Sequence, residues 1–250
     1  MVIRSPLPSP AELRKRFFPG PHPYTLLDER VRSLLKPGAV VLDAGCGRRA
    51  PVLRALQNTG ARLIGIDVVA IPEVDDYLEI KQASLDCLGL ADCTVDVVYA
   101  RSVMEHLENP QAVYQEINRV LKTGGHFIFL TPNVWDYGAV AAHIIPNRFH
   151  PWVVRATEGR KEEDTFPTFY RSNSVRRIRK LSEQSGFRLV SSEYLGQYPA
   201  YFMFSSALFL LGTGYEKLIS RFRPLRFLSG WILVVLVKHD GGTLAGNLQG

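Results

Sequence analysis

Four apolar runs limit what this chain can fold into: "AVVLDAG" at 39–45, "ARLIGIDV" at 61–68, "TVDVVYA" at 94–100 and "HFIFLTPN" at 126–133. They show little of the alternation that a half-solvated strand requires, so each reads as a strand covered on both faces. The covering elements lie between them. "YTLLDERVRSLLKPG" is apolar at helical spacing through Leu27, Val31, Leu34 and Leu35 and stops at Pro37-Gly38. "PVLRALQNTG" places Pro51 at a first helical position and ends at Gly60. "NPQAVYQEINRVLKTGG" is capped by Asn109, opened by Pro110, carries its core face on Val113, Ile117, Val120 and Leu121, and is expected to close at Gly124. Strands of this kind separated by helices predict an α/β protein with a parallel sheet between two helical layers.

The remaining segments are read around that core. Six prolines between Pro6 and Pro23 predict an extended lead-in over 1–23, with a short helix near Ala11–Phe17. "DYLEIKQASL" holds a short strand, "SNSVRRIRKLSEQSG" a helix, and "FRLVSSEYLG" and "GWILVVLVK" the last two strands. Residues 133–170 lack clean periodicity and read as an irregular insertion. Residues 198–228 form an apolar insertion before the last strand. One domain is expected over 24–238, with a disordered tail over 239–250.

Composition excludes several classes. Three cysteines without metal-ligand spacing predict neither a disulfide scaffold nor a metal site, and fit a reducing compartment. The N-terminus lacks the apolar core of a secretory signal. A cytoplasmic location follows, with the apolar insertion as a peripheral contact at the inner face of a membrane. Residues 1–150 carry 16 basic and 16 acidic side chains, whereas 151–250 carry 14 and 8, so the whole net charge of +6 lies in the last hundred residues. An acidic substrate, an anionic membrane or RNA would each suit that surplus, as would an ordinary solvated surface.

The chemistry concentrates at "VVLDAGCGRRAP". Gly45 and Gly47 let the backbone turn sharply and approach a ligand closely. Asp67, 20 residues beyond Gly47 at the end of the next strand, can accept hydrogen bonds from both hydroxyls of a ribose. A dinucleotide loop has a third glycine, but none follows Gly47 before Gly60. Instead Asp43 puts a carboxylate into the turn. Such a loop repels pyrophosphate and suits a ligand with an ammonium group, such as S-adenosylmethionine.

"VLDAGCG", "IGIDV", "DVVYARSVMEHLENP" and "LKTGGHFIFLTPN", in that order and spacing, resemble the successive motifs of class I S-adenosylmethionine-dependent methyltransferases. The nearest flavour is the small-molecule group that includes ubiquinone-biosynthesis O-methyltransferases. The resemblance covers 24–133 in register and 134–238 more loosely. It implies a Rossmann-like, seven-stranded, mostly parallel sheet with helices on both faces. It implies that Asp43, Gly45, Cys46 and Gly47 line the methionine end and that Asp67 holds the ribose. Val68 would lie beside the adenine, Asp86 would reach the adenine amino group, and Cys87 would supply a backbone amide. Ala100 and Arg101 would run along the cofactor. Arg49 departs from the family pattern, standing where many members have a third glycine.

Methyl transfer to oxygen needs a base, and histidine is the usual choice. His150, in "IIPNRFHPW", is the first candidate and His106, in "MEHLENP", the second. His143, Arg148 and Tyr170 are candidate substrate contacts in the segment expected over the cofactor. The expected acceptor is a small molecule, lipid-linked or amphipathic. "YPAYFMFSSALFLLG", uncharged over 15 residues, followed by Arg221, Arg223 and Arg226, has the makeup of an interfacial membrane element; the plain alternative is packing on the sheet or between copies. The rival functions are an RNA or protein methyltransferase and a non-catalytic cofactor-binding subunit of a membrane-associated complex. Against nucleic acid, the basic residues adjoin apolar ones instead of forming a groove, and "ARSV" stands where an Asn/Asp-Pro-Pro-Tyr/Phe motif would be. The sequence leaves the oligomeric state open.

Overall fold

The computed structural model describes residues 7–71, 75–144 and 166–239, with the backbone alone for 141–144. Its strands are β1 (Val40–Ala44), β2 (Arg62–Asp67), β3 (Leu78–Gln82), β4 (Val95–Arg101), β5 (Leu121–Pro132), β6 (Phe187–Leu195) and β7 (Trp231–Lys238). They form one sheet in the order β3-β2-β1-β4-β5-β7-β6. The first five run parallel, and β7 is antiparallel to both β5 and β6. The sheet is thus mostly parallel and seven-stranded, as expected.

Helices α1 (Pro10–Phe17), α2 (Pro23–Leu34), α3 (Pro51–Ala55), α4 (Pro110–Val120), α5 (Tyr137–Ile144), α6 (Val175–Gln184) and α7 (Ser206–Arg221) complete the described residues. Leu27 and Val31 of α2 and Val52 and Leu53 of α3 bury against one face of the sheet. Val113, Tyr114 and Ile117 of α4 and Ile178 of α6 bury against the other. Removing each such aliphatic side chain from water stabilises the fold by about 1.5–3 kcal/mol. Tyr114, Phe127, Phe129 and Phe187 add an aromatic cluster with ring centroids 4.9–6.3 Å apart.

Three boundaries differ from the sequence reading. α4 ends at Val120, a turn before Gly124, because Leu121 is extended and pairs with Val95 as the first residue of β5. The "LKTGG" expected to finish the helix is instead an irregular start to a strand. The helix expected over 51–60 breaks after Ala55 into a 3-10 turn at Gln57–Thr59. The insertion expected to be irregular contains α5. Asp136 precedes it and accepts the Gly138 amide at 3.0 Å, a helix-start contact. The helix "YGAVAAHI" has almost no polar face, so no periodicity marks it. Near the N-terminus, Ser9 and Glu12 form a capping box that starts α1 at Pro10. α1 lies against α7, with Phe18 edge-on to Phe209 at 6.3 Å and Lys217 donating to the Phe17 carbonyl at 2.9 Å. The expected disordered tail lies outside the described residues, apart from His239.

The strand order reverses between β1 and β4, the point outside the carboxyl ends of the strands where open α/β sheets bind ligands. Because β7 is reversed, its first residue, Trp231, pairs with the last residue of β5, Pro132. The 198–230 insertion therefore enters the sheet at that same edge.

Candidate functional site

The loop after β1 is held from below and open above. The Gly45 and Cys46 amides donate to the Ile66 carbonyl at 2.8 and 3.2 Å. Gly45 has φ +87°, and a methyl there would run into Val103, just after β4. Gly47 has φ +67° and nothing within 4 Å of where a side chain would start. The backbone at Gly47 therefore faces free space that any Cβ would invade. Asp67, at the end of β2, reaches across to this loop: its Oδ2 accepts the Gly47 amide at 2.7 Å and its Oδ1 the Val69 amide at 3.1 Å.

Asp43 is buried, 2% exposed. Burial pushes its carboxyl up to about 7; Tyr99 and Arg101 oppose the shift, while Asp67 and Asp28 reinforce it. The Tyr99 hydroxyl makes no hydrogen bond of ordinary geometry, so it acts on Asp43 as a nearby dipole. Raised this far, Asp43 is poised to ionise fully when a positive group arrives. The Cys46 thiol is buried and driven far up by burial, then by Asp43 and Asp67. Cys46 thus offers a ligand only its backbone.

The other expected cofactor residues take varied positions. Val68 is 52% exposed beside Asp67. Asp86 and Cys87 are exposed in the loop after β3, and the Cys87 amide is engaged with the Ser84 carbonyl at 3.1 Å. Ala100 is fully buried in β4. Arg101 ends β4 with its guanidinium 4.8 Å from the centre of the Tyr24 ring. Arg48 and Arg49 are exposed at the rim of the loop.

His106 lies three residues past Val103, the side chain that packs on Gly45. Its Nδ1 is 2.9 Å from the Pro167 carbonyl, which can only accept, so Nδ1 carries the hydrogen, and in the neutral ring Nε2 is the acceptor. Glu105 Oε1 stands 3.9 Å from that Nε2. Glu105 is buried, accepts from the Thr131 hydroxyl at 3.4 Å, and its carbonyl takes the Phe169 and Tyr170 amides at 2.7 and 3.1 Å. Tyr170 is thereby placed beside Glu105, with φ +51°. His143 is in the last turn of α5, with its side chain outside the described residues. Arg148 and His150 lie outside them altogether.

Two groups of residues at this edge were missed by the sequence reading. The first comes from α2. Tyr24 donates to or accepts from Ser102 at 3.0 Å and meets Trp231 edge-on, while Asp28 faces Arg101 and is raised by its own burial. The second is a buried amide network. Asn173 donates to Thr131 at 2.5 Å and to the Pro132 carbonyl at 3.0 Å, and Asn133 donates to the carbonyls of Phe227 and Ser229 at 2.6 and 2.8 Å. It locks the end of β5 to Asn173 and to the entry of β7. The available signal was slight: a polar residue directly after an apolar strand in "LTPN", and polar residues just before a helix in "RSNS".

The arrangement fits S-adenosylmethionine. Open space lies over a glycine amide, a carboxylate at the end of β2 suits ribose hydroxyls, and a buried carboxyl is ready to ionise beside an ammonium. Residues 16–192, well over half the chain, match the family described as a methyltransferase domain. A sterol 24-C-methyltransferase of Gibberella zeae is 35% identical over 104 residues, 37% of this chain and 27% of that one. A ubiquinone biosynthesis O-methyltransferase of Idiomarina loihiensis is 30% identical over 135 residues, 48% of this chain and 53% of that one. The chain therefore spans about a quarter to a half of the length of these curated relatives. The geranyl diphosphate C-methyltransferase of Streptomyces coelicolor, solved with Mg2+, geranyl diphosphate and S-adenosyl-L-homocysteine, shares the fold at a TM-score of 0.53 and 16% identity, over 86% of this chain and 77% of that one. The domain match, the strand order and the loop geometry agree: the chain belongs to the class I S-adenosylmethionine-dependent methyltransferase family.

Proposed function

We propose that this chain moves a methyl group from S-adenosylmethionine to a hydroxyl of a small, apolar acceptor of lipid type. The observation that carries this reading is the placement of the apolar 198–230 insertion on the same sheet edge as the glycine loop and His106. The names of the two relatives, one a sterol and one a ubiquinone-pathway methyltransferase, support an acceptor with a hydrocarbon body.

When bound, S-adenosylmethionine supplies a methyl carbon already activated by a sulfonium. The chain's own task is to position and to handle one proton. Asp67 would hold the ribose hydroxyls, and Asp43 would face the methionine ammonium. His106 Nε2 would take the acceptor proton as the new oxygen–carbon bond forms and the carbon–sulfur bond breaks. Glu105 would stabilise the imidazolium so formed.

The test uses methyl-labelled S-adenosylmethionine with the purified chain and, separately, a lipid extract and a water-soluble metabolite extract of the source cells. Label in a lipid product that survives alkaline hydrolysis, as a methyl ether does and a methyl ester does not, is the expected result. Label confined to the water-soluble fraction would refute the lipid acceptor, and a carbon-methylated product would refute the oxygen.

A further inference from the structure

Helix α7 is apolar on two sides. Phe209, Gly212, Thr213, Glu216 and Ile219 face the protein and are buried. A second stripe faces outward: Leu208, Leu211 and Leu218, prolonged by Phe204 before the helix and Phe222 after it. Leu211 is 71% exposed, Phe204 65%, and Leu218 and Phe222 51% each. Within the helix, steps of three and seven residues keep Leu208, Leu211 and Leu218 on one side, which a helix needs if it is to press a face against a surface. Exposure on this scale along a whole helix is unusual for scattered surface leucines.

Charge identifies the occupant. Over 204–228 the basic side chains Lys217, Arg221, Arg223 and Arg226 are all exposed. The one acid there, Glu216, is buried and pushed up to about 8 by that burial and then by Asp136. α1 lies alongside and exposes Arg14, Lys15 and Arg16. A second copy docked on this stripe would bring like charges together. An anionic lipid surface would meet them with opposite charge. Among the described residues no helix is long and apolar enough to cross a membrane, and α7, at 16 residues, is about 24 Å long. A helix of this length with one apolar line beside basic residues lies in the plane of the interface.

We propose that α7 and the 222–227 segment dock the protein on an anionic membrane, with the outward stripe in the acyl boundary and the arginines among the headgroups. This goes beyond the acceptor chemistry: docking would place the cofactor edge at the bilayer whether or not the acceptor is a lipid.

The experiment is co-sedimentation of the full chain with vesicles of phosphatidylcholine alone and of phosphatidylcholine mixed with phosphatidylglycerol, read without any methyl transfer. Binding to the mixed vesicles, weakened by added salt, is expected. L211E/L218E should lower the affinity about tenfold or more, and R221E/R223E should abolish the preference for the anionic lipid. Both pairs are solvent-exposed, and matching circular dichroism and melting would show that the fold is kept. A wild-type chain left in the supernatant with both vesicles, or an L211E/L218E variant that binds like wild type, would overturn the proposal. So would light scattering that shows a dimer broken by L211E/L218E with no vesicle binding, which would assign the stripe to a second copy.

Discussion

The Asp67 carboxylate accepts the Gly47 amide at 2.7 Å, so the acid at the end of β2 already grips the loop that follows β1. Asp67 shapes the loop, and in the proposed site it would also meet the ribose. Asp67→Ala should weaken S-adenosylhomocysteine binding by about ten- to a hundredfold in calorimetry, with the melting temperature lowered only slightly. Unchanged affinity would remove Asp67 from the ribose site.

The two loop glycines should fail in different ways. Gly45→Ala meets Val103 and should destabilise the whole fold. Gly47→Ala meets nothing, so the cost to stability should be about 1–2 kcal/mol of left-handed strain. Its methyl would fill the space over the loop, and cofactor binding should be lost from a protein that still melts cooperatively. Cofactor binding by Gly47→Ala at wild-type strength would mean that the ligand does not approach this amide.

His106→Gln keeps a side chain of similar reach without a usable base. Turnover should fall about a hundredfold or more, while S-adenosylhomocysteine affinity stays as in wild type. A variant with full turnover would exclude His106 and return the assignment to another group at this edge.

Asp43, placed beside a ligand ammonium as proposed, would link cofactor binding to pH. Its folded carboxyl is raised to about 7, so below that pH the site is largely neutral before an ammonium ligand arrives. Binding would then release a proton, and affinity should drop as pH falls from about 8 to about 6. Calorimetry in buffers of different ionisation enthalpy measures that proton directly. The Asp43→Asn variant should bind weakly and with no such pH dependence.

Glu216 and Asp136 act on stability. Burial raises them to about 8 and about 6, above their values in an unfolded chain. A carboxyl raised on folding costs nothing where both states hold the proton. It destabilises progressively once the unfolded state ionises and the folded state does not, and the cost is complete above the folded value. The melting temperature should therefore decline between about pH 5 and about pH 9. The buried Asp43 adds to the same decline, and Glu216→Gln, which removes one share of it, should flatten the decline in part, most visibly near the alkaline end. A variant whose melting profile parallels wild type throughout would contradict the assignment.

The sheet was legible because parallel strands need apolar residues on both faces, and runs such as "LIGI" and "HFIFL" carry that need openly. The glycine loop was legible because its backbone path demands Gly45 and Gly47. Helix α5 was not, since a helix apolar all round has no face for a periodicity to show. The rim was hidden for a different reason. Asn133 and Asn173 are buried because three distant segments, around 131–134, 173 and 227–230, converge on them, and a polar residue beside a strand looks the same in sequence whether it meets water or a carbonyl. Tyr24 and Asp28 were concealed by the helix that carries them: the spacing of Leu27 and Val31 explains α2 completely as a packing element, while its other side reaches Ser102 and Arg101.

The reversed strand β7 has a consequence for how such a chain can change over time. By turning back between β5 and β6, it brings a segment from near the C-terminus to the rim where β1 and β2 end. The residues proposed to hold the cofactor, Asp43 to Cys87, lie in the first ninety or so residues, and the wall where β7 enters the sheet lies in the last fifty or so. Insertions and substitutions can therefore accumulate in that wall, retooling what the protein accepts or adheres to, while the machinery that grips the methyl donor is inherited untouched.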